Sequence, residues 1–433
     1  MTARAQVESL LAIINRSALD ALDEYEKHGK AVPVPDSLDK HPLDDAEDKL
    51  LLKKIVSKLE GACEQLCTTL APPTHTVMNR AQDFGWACLR VAVQQKFADA
   101  MKRHPNGLHV NALSKEVNVH PMKLASVLRV LAAKHCFREV SPDVFANNRL
   151  SLTLLSDHPM SALVDLITTE GQKPASALSD YLVDPEYGQS LKETEAVFQY
   201  SNNVMGITFY DWLQHKVSPS TSAFRALPYM TMKEDARLAT SHDERKVMMK
   251  AMTSMNEVQG ALFALQGICD VGSGAGNFSR AILEKYPGIQ VTQFDLPRTI
   301  AVAKQLWKSD FSGRVIFIDG DFFKEVPAQG CDIYYLRNII HNWIDEKALT
   351  ILKSVRASMA PNSRVLIHDH VLRHMDRRSP QDFASDSDGL DKAPEPLLPN
   401  YGAGSIRLYH QDLQMMMAYN ARERTTAEVV QIA

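Results

Sequence analysis

No stretch of the 433 residues is apolar and long enough to span a bilayer, and no charged-then-apolar leader opens the chain. The expectation is a soluble, cytoplasmic protein with no membrane partner. Basic charge is not in excess: 48 Lys and Arg stand against 52 Asp and Glu, a net charge of −4. A nucleic-acid footprint needs a basic surface, so no nucleic-acid partner is expected. Cysteine is sparse. The six (Cys63, Cys67, Cys88, Cys136, Cys269 and Cys331) are scattered without paired metal-ligand spacing. Cys63 and Cys67 lie one helical turn apart and read as a helix face. Reduced thiols and no metal site follow. What is plentiful is apolar residue, 45% of a chain long enough for two or three domains with full cores.

The most informative stretch is 268–297. Ile268 to Val271 reads as a short buried strand, followed by Gly272, Gly274 and Gly276 at alternate positions. Phe278 to Tyr286 reads as a helix, and Ile289 to Phe294 as a second strand ending in Asp295. Glycines let a backbone bend sharply and approach a ligand, and an acid at the end of the second strand is placed to bind a ribose diol. The spacing is G-x-G-x-G rather than the G-x-G-x-x-G of dinucleotide sites. No Lys-Ser pair follows to hold phosphate. A nucleoside without phosphates fits better, and S-adenosylmethionine (SAM) is the expected cofactor.

In chain order, residues 1–30 read as an amphipathic helix and 31–46 as a Pro- and Asp-rich linker, so 1–46 is a first segment. Helices are expected over 47–70 and 75–102, broken by Pro72-Pro73. Residues 108–150 read as a winged helix, with helices at 110–119 and 121–134 and a hairpin from Phe137 and Val144. Its second helix carries only Lys123, Arg129 and Lys134, too thin a basic set for DNA. Residues 47–155 are therefore read as a helical, winged-helix domain; the amphipathic N-terminal helix has no obvious core of its own, and such helices often pack on a partner subunit, so a homodimer is expected. Residues 156–265 are rich in Met and aromatics, which suit a plastic pocket for a flat apolar ligand. Phe209, Trp212 and Met252 are the expected pocket residues of this lid. From 266 to 433, strands alternate with helices, the pattern of a mostly parallel sheet with helices on both faces. Such sheets bind ligands at the carboxyl ends of their strands. Asp295, Asp321, Arg337, His341 and Asp369 all fall there. Residues 374–404 read as a polar loop, either a surface insert or a flap over the pocket.

These motifs resemble the SAM-dependent O-methyltransferases of plant and fungal natural-product pathways over about 50–433. The resemblance rests on Asp270-Val-Gly272-Ser-Gly274-Ala-Gly276, on Asp295-Leu296, on Gly320-Asp321-Phe322-Phe323, on His341-Asn342-Trp343-Ile344-Asp345, on Asp369 and on Glu423-Arg424-Thr425. It implies an α/β fold, a Rossmann-like SAM-binding domain preceded by a helical dimerisation domain. It implies cofactor contacts from Asp270, Gly272, Gly274, Gly276, Asp295, Leu296, Asp321, Phe322, Arg337 and Trp343. Asn342 stands where the family has Asp and is expected to cap the following helix. The family also continues into a closing pair of antiparallel strands that this sequence does not include, so an open sheet edge is expected.

The chemistry implied is methyl transfer to a hydroxyl of an aromatic or polyketide-type metabolite. A phenol titrates near pH ~10 and needs a base at neutral pH. His341 is the expected base, with Asp369 and Glu423 orienting the imidazole. Some fungal relatives instead hold SAM without consuming it and catalyse pericyclic reactions on polyketide–pyridone intermediates. Arg337 is the expected hydrogen-bond donor in that alternative.

Overall fold

The computed structural model describes residues 2–29, 31–44, 50–216, 267–307, 311–375 and 392–433. Met252, expected in the pocket, and most of the 374–404 insert lie outside the described residues. The chain divides into two compact units, which are described in turn.

The first unit contains Met1–Ser176 and Lys392–Ile406. Helix α1 (Ala3–Glu26) starts at a Thr2 cap and packs along α2 (Leu50–Leu70). Leu10, Ala62, Ala393 and Leu397 form their shared core. The helix read as lacking a core of its own therefore has one, completed by residues far along the chain. The turn at 402–405 lies so close to α2 that a Cβ on Gly61 would sit 2.2 Å from the Tyr401 carbonyl oxygen. A Cβ on Gly404 would sit 2.0 Å from that of Ser57. The end of the expected linker is also packed: His41 and Leu43 are buried, and Asp44 pairs with Arg149.

The single helix expected over 75–102 is three: α3 (Pro73–Ala81), α4 (Gly85–Gln94) and α5 (Phe97–Met101). Asp83 accepts the Gly85 N–H and binds Lys134, which fixes the first break. Lys96, in the left-handed region at φ 55°, makes the second. Strand β1 (Leu108–His109), α6 (Val110–Val117), α7 (Pro121–Ala133), β2 (Arg138–Ser141) and β3 (Val144–Ala146) follow, then α8 (Pro159–Leu166). The strands form one antiparallel sheet, β1-β3-β2; the first of them, two residues long, is too short to carry a period in the sequence. Leu113, Leu124, Leu128, Phe137 and Phe145 make its core.

The second unit contains Ala177–His215 and, among later described residues, those up to Met375 and Arg407–Ala433. Helices α9 (Leu178–Leu182), α10 (Val197–Asn202) and α11 (Phe209–Lys216) precede the sheet. The expected separate lid, 156–265, is thus divided between the units at residue 176. The sheet elements are β4 (Gly267–Val271), α12 (Asn277–Lys285), β5 (Gln290–Asp295), α13 (Pro297–Trp307), β6 (Val315–Asp319), β7 (Ile333–Arg337), α14 (Asp345–Ser358) and β8 (Arg364–His368). Helices α15 (Ile406–Tyr419) and α16 (Thr426–Ile432) close the chain. Among the described residues the strand pairings of this sheet are all parallel, in the order β6-β5-β4-β7-β8. Strand residues alternate between two cores, as period-2 side-chain placement requires. Cys269, Val271, Tyr334 and Leu336 face α14, whereas Ile268, Ile333 and Tyr335 face the side of Ile282 and Trp307. Burial on both faces is why β7 reads as a continuous apolar run up to Arg337.

Candidate active site

The carboxyl ends of β4, β5, β7 and β8 carry the site. After Val271 the chain turns through Gly272, Gly274 and Gly276, all at positive φ (73°, 56° and 81°). A Cβ on Gly272 would meet Ile339 Cδ1 at 2.3 Å, and one on Gly276 would meet the Gln293 amide at 2.4 Å. The turn is tied to β5: Gly272 and Ser273 N–H both donate to the Phe294 carbonyl, and Gly274 N–H donates to Asp295 Oδ2 at 2.8 Å. Asp295 Oδ1 accepts the Leu296 N–H at 2.7 Å. Burial raises the Asp295 pKa, and those N–H donors with the Thr299 hydroxyl pull it back. Around the turn, Ser273 Oγ, Asn277 Nδ2 and both amide atoms of the fully buried Gln293 have no hydrogen-bond partner among the described residues. Orphaned buried polar atoms mark a place where a polar group is missing, and an amino-acid-bearing nucleoside fits that lining.

Asp270, expected at the cofactor, lies instead under α12. Its carboxylate accepts the Ser279 hydroxyl at 2.5 Å and is 3% exposed, and burial lifts its pKa to about 6. It pins helix to strand. Asp321 Oδ1 accepts the Phe323 N–H at 2.9 Å and so shapes the turn after β6. Phe322 meets Phe323 edge-on at 5.0 Å, and Trp343 meets Phe323 edge-on at 4.7 Å. Lys347 lies 5.5 Å from the Trp343 ring and pairs with Glu193. Leu296 is 46% exposed at the mouth of this region.

Arg337 ends β7, paired in register with His368. Its charge, after burial itself, helps hold the His368 pKa down at about 4. Asn338, at φ 53°, then turns the chain into the short helical turn Ile340–Asn342. His341 is 5% exposed, and its Nδ1 lies 2.7 Å from Glu423 Oε1. A carboxylate partner requires the proton on Nδ1, which leaves Nε2 as the lone-pair nitrogen. Burial pulls the His341 pKa down. The Glu423 hydrogen bond, the Asp369 and Glu423 charges and the Asn338 carbonyl outweigh it, and the net shift is upward.

Two expectations are corrected here. Asp369 does not hold the ring: its carboxylate accepts the N–H groups of His341 (2.9 Å) and Ile339 (3.3 Å), fixing the main chain beneath it. Asn342 does not cap α14. Ile344 occupies the cap position, and Asn342 Nδ2 donates to the Asn338 carbonyl at 2.9 Å. The start of α14 is stabilised by Asp345 and Glu346 in its first turn. Arg424 braces this whole turn, donating to Ile340 O, Trp343 O and Asp345 Oδ1.

Phe209 is 7% exposed and packed edge-on against Phe198 at 4.8 Å, so it belongs to a core; Trp212 stacks on it at 6.3 Å. The neighbouring Tyr210, one of the aromatics of this segment but not among the expected pocket residues, is the one that reaches the site. Its ring lies 5.2 Å from that of Tyr419. The polar neighbours of its hydroxyl are Tyr419 and Asn342, with the Asp295 charge nearby. The only sequence signal for it was its place beside Phe209.

The O-methyltransferase domain profile matches residues 213–386. A 3-O-methyltransferase of Phanerochaete chrysosporium is 36% identical over 99% of this chain and 92% of its own. The chain belongs to the O-methyltransferase family. An O-methyltransferase of this family uses SAM as cofactor, and the glycine turn and Asp295 described above are the residues that fit it. In fold, this O-methyltransferase matches OxaC in complex with SAH and oxaline, with a TM-score of 0.67, 18% identity, and coverage of 100% of this chain and 93% of that one. A structure described as a pericyclic reaction enzyme matches with a TM-score of 0.65 and 18% identity, covering 89% of this chain and 88% of that one. Among the described residues, no helix is long and apolar enough to cross a membrane, and no cluster of side chains has the makings of a metal site.

Proposed function

We propose that the protein methylates a hydroxyl of an aromatic or polyketide-type secondary metabolite, with His341 as general base. The observation that carries this reading is the buried His341–Glu423 pair, 2.7 Å apart, beyond the end of β7. Bound SAM supplies an electrophilic methyl group on a sulfonium. The residues of the chain do the rest. Gly272, Gly274, Gly276, Asp295, Leu296, Asp321, Phe322 and Trp343 hold the cofactor. Glu423 keeps the Nδ1 proton in place. Nε2 of His341 takes the proton of the acceptor hydroxyl, and Glu423 stabilises the imidazolium so formed. Asp369 acts through the main chain, and Arg337 adds positive charge at the end of β7.

The intact His–Glu pair supports methyl transfer over SAM-assisted pericyclic chemistry, which needs a carbonyl donor and no base. The N-terminal unit is read as the winged-helix dimerisation domain, and the assembly as a homodimer. The test is mass spectrometry of the purified protein with SAM and candidate phenols or pyridones. A product heavier by one methylene, with S-adenosylhomocysteine released, is expected. A product of unchanged mass that depends on SAM without consuming it would establish the pericyclic reading instead.

A further inference from the structure

We propose that Asp412 is a positioning residue for the His341–Glu423 pair, holding the Glu423 carboxylate at the imidazole through the Glu423 main chain. This rests on the reading of His341 as the base.

Glu423 is 0% exposed, and its Oε1 is taken by His341 Nδ1. Its Oε2 has no hydrogen-bond partner among the described residues. The side chain is therefore anchored at one point only, the very ring whose orientation it sets. What remains to fix the carboxylate is the backbone of residue 423. There the N–H donates to Asp412 Oδ1 at 2.9 Å.

Asp412 stands on α15, and α15 is a rigid mount. Tyr409 Oη donates to the Arg373 carbonyl at 2.8 Å. At its end, Asn420 takes φ 50°; its side chain donates to the Lys192 carbonyl at 2.8 Å and accepts from Tyr181 Oη at 3.1 Å. From the far side, Arg424 ties the following residue to the 340–345 turn. Residue 423 is thus stretched between two fixed points, and Asp412 is its bond to one of them. Orienting partners one step removed from the reacting group are commonly worth as much as tenfold or more in activity.

The charged and polar groups facing Asp412 are Glu423, Arg422 and Glu428; those facing His341 are Glu423, Asp369 and the Asn338 carbonyl. Asp412→Asn keeps an oxygen acceptor for the Glu423 N–H and removes the charge, whereas Asp412→Ala removes both.

The experiment uses the full chain, SAM and an acceptor that the wild type methylates. Asp412→Ala is expected to lower kcat about tenfold or more, with the KM for SAM unchanged within about twofold, and Asp412→Asn to stay within about threefold of wild type. Wild-type kcat in Asp412→Ala, or equal losses in both variants, overturns the proposal. Nitrogen-15 NMR of the His341 ring gives a second readout that needs no turnover. Retention of the Nδ1–H tautomer in Asp412→Asn with its loss in Asp412→Ala supports the proposal, and retention in both overturns it. If Asp412→Ala does not fold, Asp412→Leu, which keeps the bulk and removes the acceptor, takes its place in the ring measurement: loss of the Nδ1–H tautomer supports the proposal and retention overturns it. Failure of the wild type to methylate any acceptor counts against the base assignment and leaves the ring measurement standing.

Discussion

His341 is a buried imidazole beside two carboxylates, and this sets how the enzyme should respond to pH. A base must be unprotonated to act. Because Glu423 and Asp369 favour the imidazolium, the His341 pKa lies above its ordinary 6.5. The acid limb of kcat/KM should therefore lie above the ordinary imidazole value, with activity rising through it as pH increases. Glu423→Gln removes one of the charges and should move the limb to lower pH; a pH–rate series on both proteins checks this. His341→Ala should lose roughly 100- to 10,000-fold in kcat, the usual share of general-base catalysis, with SAM binding by calorimetry intact. At this scale the sequence was partly legible. His341 and Glu423 stand in motifs that announce themselves. Asp412 and Tyr210 stand in none, because what makes each relevant is a neighbour outside its own helix: Glu423 for the one, Tyr419 and Asn342 for the other.

Two loops, rather than the strands themselves, decide whether the site is assembled. The glycine turn is wedged against Ile339, so Gly272→Ala should cost roughly 1–2 kcal/mol for the left-handed backbone alone, plus the overlap with Ile339. Adding Ile339→Val deletes the offending Cδ1. The double variant should recover part of the lost melting temperature and of the SAM affinity. The second loop is the 340–345 turn, held by Arg424. Arg424→Ala leaves the Ile340 and Trp343 carbonyls without their donor, at about 1–3 kcal/mol for each buried group. Thermal unfolding should show that loss, and Arg424→Lys should not restore it, since one ammonium cannot copy the guanidinium fork. The strands ending at Arg337 and His368 were readable because each is a short apolar run bounded by polar turn residues, and the strand ending at Asp295 because it follows the glycine turn and its helix. The breaks at Gly85 and Lys96 were not, because the apolar pattern passes through both without interruption.

For the molecule as a whole, apolar side chains left in the open on the N-terminal unit are the physical ground for proposing a homodimer. On α1, Leu11, Leu19 and Leu22 are 44%, 59% and 44% exposed, and on α3 Val77 and Met78 are 65% and 56% exposed. Sedimentation velocity at micromolar concentration should give a dimer, and Leu19→Glu with Val77→Glu should shift it to a monomer. The boundaries drawn from sequence treated the chain as successive blocks. Composition registers where a segment is polar but not where it returns, so the homing of 392–406 to the N-terminal unit could not be read.

That return has a practical meaning for anyone recombining this enzyme with a relative. A crossover placed near residue 176 would exchange most of one unit yet leave the parental 392–406 strap to dock on a foreign α2. Gly61 and Gly404 leave no room there for so much as a methyl group. Viable hybrids should be those that trade both stretches together, so that inheritance in this protein is linked across the whole of the intervening chain.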